Sequence, residues 1–189
     1  QAGVAQAQLV SNISEVGALY GVAFSRSAQK AFTSAVQRRH AAFGPLGPGG
    51  IYLVDPFSPN ADKTEDWLNL DAIGIATSDP IGPYPPNPGN NTSPVSGYIG
   101  TDVERGLNVA PDQLSTDYVA GDQVGKVSLG DIDISDDGRY LYVVNLYDRR
   151  VYEIDLVNPQ NPEAPTLANV ATRVRSWPVP DPATLAMHG

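Results

Sequence analysis

The chain repeats itself. With an offset of 110 residues, Gly21-Val22-Ala23-Phe24-Ser25 falls on Asp131-Ile132-Asp133-Ile134-Ser135, and residues 31–36 fall on residues 141–146. After Arg39-His40 the first copy carries ten extra residues, 41–50, and the offset becomes 100. Ile51-Tyr52-Leu53-Val54-Asp55 then matches Val151-Tyr152-Glu153-Ile154-Asp155, and Pro59 and Pro159 stand at equivalent exits. A match over three segments with one loop insertion restricts the fold to two copies of one unit.

The local chemistry of each copy is that of strands. Val22 and Phe24, and later Ile132 and Ile134, alternate with small or polar residues, which gives period-two faces. Tyr140, Tyr142, Val143 and Val144 favour strands, and Asp137-Gly138 supplies the positive φ of a tight hairpin. Fourth strands are expected near residues 66–70 and 170–177, and residues 8–13 are read as an outer strand of another unit. Three or four antiparallel strands in series make one blade of a β-propeller. The expected fold is therefore all-β, with about two four-stranded blades of an incomplete propeller and a long irregular insertion between them. Closed propellers use roughly four to eight blades. A pair is expected to leave an apolar face exposed at each end and to need neighbours from a longer polypeptide or an assembly.

The boundaries follow from the repeat: residues 1–16 as an N-terminal strand or linker, 17–70 as blade one, 71–129 as the insertion, 130–177 as blade two, and 178–189 as tail. The insertion is too long for a simple connector. Its stretch 78–97 is dominated by Pro, Gly and Asn, which points to an extended loop. Residues 111–118 are read as a short helix with Pro111 in its first turn.

Composition narrows the partners. With 18 glycines, 17 prolines and 17% charged residues, short strands and turns are favoured over long helices. A net charge of −9 argues against nucleic acid or anionic lipid, since phosphate binding needs a concentrated basic surface. The lack of cysteine removes disulfides and thiolate metal sites, and no apolar run approaches the ~20 residues of a membrane span. The first residue is Gln1 rather than Met, read as a removed leader or a fragment of a longer chain.

The stretch Asp131-Ile132-Asp133-Ile134-Ser135-Asp136-Asp137-Gly138-Arg139, followed by Leu141-Tyr142-Val143-Val144-Asn145, resembles the YVTN-type β-propeller repeat, with Val144 where the name-giving motif has Thr. Residues 16–17, 20–23, 38–52 and 124–135 are similar to propeller regions of large bacterial surface proteins that carry SdrD B-like domains. That resemblance implies a secreted, periplasmic or cell-surface setting and a non-enzymatic structural or adhesive role through protein–protein contacts. The general YVTN resemblance also permits a lactonase-like hydrolase.

In such a unit the loops between second and third strands share an end with the inter-blade segment. Arg38, Arg39, His40, Asn145, Arg149 and Arg150 are therefore the candidate binding residues, for a protein or polysaccharide ligand. Strand-end capping and pairing with nearby acids explain the same arginines. Asp131 and Asp133 suggest calcium as a cofactor, because hard cations prefer carboxylate oxygens. Together with Asp136 and Asp137, however, they lack the spacing of a calcium loop and also fit a strand plus hairpin. No nucleophile elbow, zinc-protease helix, P-loop or dinucleotide fingerprint occurs, so no catalytic residue is assigned. Nothing in the sequence marks a triad around His40.

Overall fold

The computed structural model describes residues 9–59, 63–79, 99–107, 113–117 and 120–180. Two four-stranded antiparallel sheets account for most of it. Sheet one runs β1 (Leu19–Ser25), β2 (Lys30–Ala35), β3 (Gly50–Val54), β4 (Thr64–Asn69), and its spatial order follows the sequence. Sheet two repeats the plan with β5 (Leu129–Ile134), β6 (Tyr140–Asn145), β7 (Arg150–Asp155) and β8 (Val174–Pro178). The fold is all-β with short helical turns.

The registers reproduce the offsets read from the sequence. Val22↔Thr33, Ala23↔Phe32 and Phe24↔Ala31 in sheet one become Ile132↔Val143, Asp133↔Tyr142 and Ile134↔Leu141 in sheet two. An irregularity falls at the same place in both, between Leu19 and Val22 and between Leu129 and Ile132. Phe32↔Leu53 and Thr33↔Tyr52 recur as Tyr142↔Glu153 and Val143↔Tyr152. The fourth strands differ. A bulge between Ile51 and Tyr52 leaves Trp67 as an extra residue in β4, whereas β7–β8 pairing is regular.

One core lies between the sheets. Cross-strand partners share a face, so Ala23, Phe32 and Leu53 form the inner face of sheet one, joined by Ile51 and Leu68. Ile132, Val143, Tyr152, Leu141 and Ile154 form that of sheet two. Phe32 meets Trp67 edge to face at 4.9 Å, and the Trp67 indole N–H donates to the Pro162 carbonyl at 3.2 Å. The sheets come closest at their first strands. A Cβ on Gly21 would lie 2.6 Å from the Ile132 nitrogen, so only glycine fits there. The Ser34 hydroxyl crosses the same gap to donate to the Gly130 carbonyl at 2.7 Å.

Ser128 ties the sheets together at one end. Its hydroxyl accepts from the Gln37 N–H at 2.7 Å, it bridges to Val36, and its own N–H donates to the Thr77 carbonyl at 2.7 Å. Its carbonyl accepts from the Leu146 N–H at 3.0 Å.

Several expected elements shift. Residues 9–12 form no strand, and Ile13–Val16 is a helical turn started by Asn12, whose side chain accepts from Ser14 N–H while Glu15 reaches back to the Asn12 N–H. The β4 strand starts earlier than expected, at Thr64. The β8 strand starts later, because Val170–Arg173 is a helical turn. There Arg173 donates to the carbonyls of Asp155, Glu163 and Ala164, which fixes the turn against the exit of β7. Residues 113–117 are not helical, and the short helix falls instead on Ala120–Gln123. The loop expected at 78–97 falls outside the described residues apart from Ser78 and Asp79, and of the tail only 178–180 are described.

The two outer faces differ in composition, and both carry apolar groups, Val144, Val151 and Trp177 lying on that of sheet two. Sheet one shows Tyr20, Val22 and Phe24 to solvent. Sheet two shows Asp131 and Asp133, with Tyr142 donating to Glu153 at 3.0 Å and Arg175 paired with Glu153 at 3.7 Å. Hydrogen bonding to the Glu153 carboxylate raises the Tyr142 phenol above its ordinary pKa.

Candidate functional site

The β2–β3 loop meets the second half of the insertion, and a buried ion pair joins them. Arg105 and Asp117 are both fully buried. The guanidinium grips the carboxylate with two prongs, Nε to Oδ1 at 3.0 Å and Nη2 to Oδ2 at 2.9 Å. Nη2 also donates to the Arg38 and Ala41 carbonyls, each at 2.9 Å, and the Phe43 ring lies 5.9 Å from the guanidinium carbon. Arg105 Nη1 is buried without a partner among the described residues. Asp117 accepts in addition from the His40 N–H at 2.5 Å. His40 and Asp117 both adopt positive φ, 62° and 40°, so the contact holds two residues in a region that non-glycine residues rarely enter.

This cluster decides the position of the predicted residues. Arg38 and Arg39 are exposed on the β2–β3 loop, and His40 is exposed with Nδ1 2.7 Å from the Ser115 hydroxyl. Arg149 is exposed at the β6–β7 turn with φ 58°. Arg150 is committed to structure: Nε donates to the Ser176 hydroxyl at 2.9 Å and Nη2 to its carbonyl at 3.2 Å. Asn145 is fully buried, its amide donating to the Ala76 carbonyl at 2.9 Å and accepting from the Tyr147 N–H at 3.0 Å. It anchors the start of the insertion to the end of β6. All six stand at the end of the sheets where the insertion attaches, Arg38, Arg39 and His40 on the β2–β3 loop and Asn145, Arg149 and Arg150 on the β6–β7 turn and the strand ends that flank it.

At the other end, the β1–β2 and β5–β6 turns share a small cleft lined by Phe24, Ser27, Ile134, Asp136 and Gly138. Gly138 has φ 73° and closes the expected hairpin, and Asp137 accepts from the Ser135 hydroxyl at 2.6 Å and the Arg139 N–H at 2.9 Å. These bonds hold the Asp137 carboxyl below the usual range. Asp131 and Asp133 cap the N–H groups of Ile132 and Ile134 at 3.0 and 2.8 Å, and no cluster of three metal-ligating side chains occurs among the described residues.

Sequence reasoning missed Arg105, Asp117, Ser115 and Ser128. Arg105 stands alone among polar neighbours with no repeat partner, so only the folded contact reveals it. An open groove of about 600 Å³ also lies beside this end, between Pro45, Leu46 and Pro48 on the inserted loop and Asn69 at the end of β4 with Asp71 and Ser78 after it.

The fold and the site thus define a two-sheet, internally repeated all-β unit with loop elaboration at one end. The chain is similar to Colossin-D of Dictyostelium discoideum, 24% identical over 155 residues that cover 82% of this chain and 14% of that protein. No family model matches, and neither does any solved structure.

Proposed function

We propose that the two sheets are adjacent blades of a β-propeller, and that the segment is a non-enzymatic structural or adhesive module of an extracellular or cell-surface protein. Its work is protein–protein contact within a larger protein or assembly. The observation that carries this is the repeated register together with the stacking: two meanders with the same cross-strand pairs face each other head to tail, with the first strands closest. An arrangement of that kind adds further units by the same operation. The similarity to a stretch making up 14% of Colossin-D agrees with a part of something larger. The test is the mass of the native molecule, by crosslinking and mass spectrometry in its source. A mass above 20.0 kDa supports the reading, and a native monomer of 20.0 kDa with cooperative melting refutes it.

One observation favours a second reading, a lactonase-like hydrolase: His40 Nδ1 and Ser115 Oγ are within 2.7 Å. The carboxylate beside them does not complete a triad, because Asp117 is spent on Arg105 and on the His40 backbone N–H rather than the imidazole. Hydrolysis of a lactone panel that is lost in both His40→Ala and Ser115→Ala would establish the hydrolase. A ligand-binding face is tested by changing Arg38, Arg39, Arg149 and Arg150 together and measuring attachment to protein or polysaccharide.

A further inference from the structure

The turn before β1 carries a chemical pattern that neither the core nor the loop cluster uses. Asn12-Ile13-Ser14 is an Asn-x-Ser triplet without proline, the acceptor pattern for an N-linked glycan in a secreted chain. Such triplets arise often by chance, and the folded surroundings decide whether one has room for sugar. All three residues are exposed. The Asn12 amide oxygen accepts from the Ser14 N–H at 3.0 Å and from the Ser14 hydroxyl. Its amide nitrogen gives one hydrogen to Glu15 Oε1 at 2.6 Å, and its second hydrogen has no acceptor among the described residues. An N-glycosidic link replaces one amide hydrogen and keeps the other, so the turn survives the modification. Each of these bonds spans three residues or fewer, so the turn is available to the nascent chain as well.

The Thr64 hydroxyl donates to the Ser11 hydroxyl at 2.9 Å, which ties this turn to the start of β4. That strand is an unpaired edge of sheet one, and Leu9 and Ile13 beside Asn12 are 75% and 66% exposed. A hydrated glycan there stands against strand addition at the edge and covers apolar side chains.

We propose that Asn12 is an N-glycosylation site whose glycan screens the β4 edge. This rests on the reading of the chain as extracellular. In the transfer, Asn12 Nδ2 bonds to the anomeric carbon of an oligosaccharide carried on a polyprenyl diphosphate. The bond from that carbon to the diphosphate oxygen breaks, the polyprenyl diphosphate leaves with the electron pair, and Nδ2 loses one proton to solvent.

The test maps peptides of the protein from its source after peptide N-glycosidase treatment in heavy-oxygen water, which converts a glycosylated asparagine to labelled aspartate. Label at position 12 is expected. Asn90-Asn91-Thr92-Ser93, outside the described residues, holds two more triplets and reports whether the chain met the transferase. Label there with none at position 12 overturns the proposal and leaves the extracellular reading intact. No label anywhere also overturns it, and a membrane-impermeant biotin reagent on intact cells then judges the extracellular reading separately. Native mass is taken after glycan removal, so that sugar is not counted as a partner.

A second arm secretes the 189-residue chain from a eukaryotic host. Ser14→Ala deletes the hydroxyl that the triplet requires and keeps the N–H that Asn12 accepts, so it should remove the label at position 12 alone. A label that survives this change overturns the assignment. The same variant should self-associate more than the parent as concentration rises in sedimentation velocity, and equal behaviour overturns the screening role.

Discussion

Gly21 and Arg105 show how single residues set the geometry in opposite ways. Gly21 acts by what it lacks: a methyl there would press on the Ile132 backbone, which cannot rotate away. Gly21→Ala should lower unfolding free energy by about 1–3 kcal/mol in a urea titration, the cost typical of overpacking. Arg105 acts by what it pairs. Arg105→Ala leaves the Asp117 carboxylate buried and unpaired, a loss of roughly 3–5 kcal/mol by analogy with other buried pairs. Replacing both, as Arg105→Met with Asp117→Leu, should recover much of it, because no charge is then stranded. Asp155 offers a pH test. The Arg139 guanidinium, at 2.7 and 2.9 Å, holds its carboxyl below the ordinary value, so the bond contributes stability above the normal carboxylate range. That contribution disappears as pH falls through the lowered folded value. Asp155→Asn should therefore melt below the parent at pH 7, and the two midpoints should converge in acid. At this scale the sequence was only partly readable. Asp137-Gly138 announced its turn through backbone chemistry that is local. Asn145 and Arg150 are held by carbonyls and hydroxyls far away in the chain, and their roles depended on contacts that no spacing encodes.

Strands were readable because two constraints coincide. A half-buried sheet needs alternation, and a duplicated unit states the same alternation twice, so β1 to β3 and β5 to β7 could be placed from residues alone. Fourth strands were harder. Their edge position relaxes the demand for apolar alternation, and β4 includes Thr64, Glu65 and Asp66 before its buried Trp67. At Val170–Arg173 the β-branched residues favoured extension, and the long-range bonds of Arg173 overrode that preference. Trp67 is where sheet one departs from its copy. Trp67→Phe keeps most of the ring contact with Phe32 but deletes the donor to Pro162. The expected loss is about 0.5–1.5 kcal/mol, the net worth of a typical hydrogen bond, measured by thermal unfolding.

The molecule as a whole has a direction. Sheet one turns Tyr20, Val22 and Phe24 outward, whereas the outer face of sheet two mixes Asp131, Asp133 and Glu153 with Val144, Val151 and Trp177. Only the packing of Gly21 on Ile132 reveals which face of each copy is inward. The link from Thr77 to Ser128 has a different consequence. The chain leaves and re-enters the sheets beside a backbone hydrogen bond of 2.7 Å, and Arg105 and Asp117 tie the excursion again to the β2–β3 loop. Closing a longer excursion across so narrow a neck costs little extra entropy. Changes of length between Thr77 and Ser128 are thus absorbed wherever they leave Arg105, Asp117 and their bonds to Arg38, His40 and Ala41 in place, so that pair fixes how the excursion is displayed.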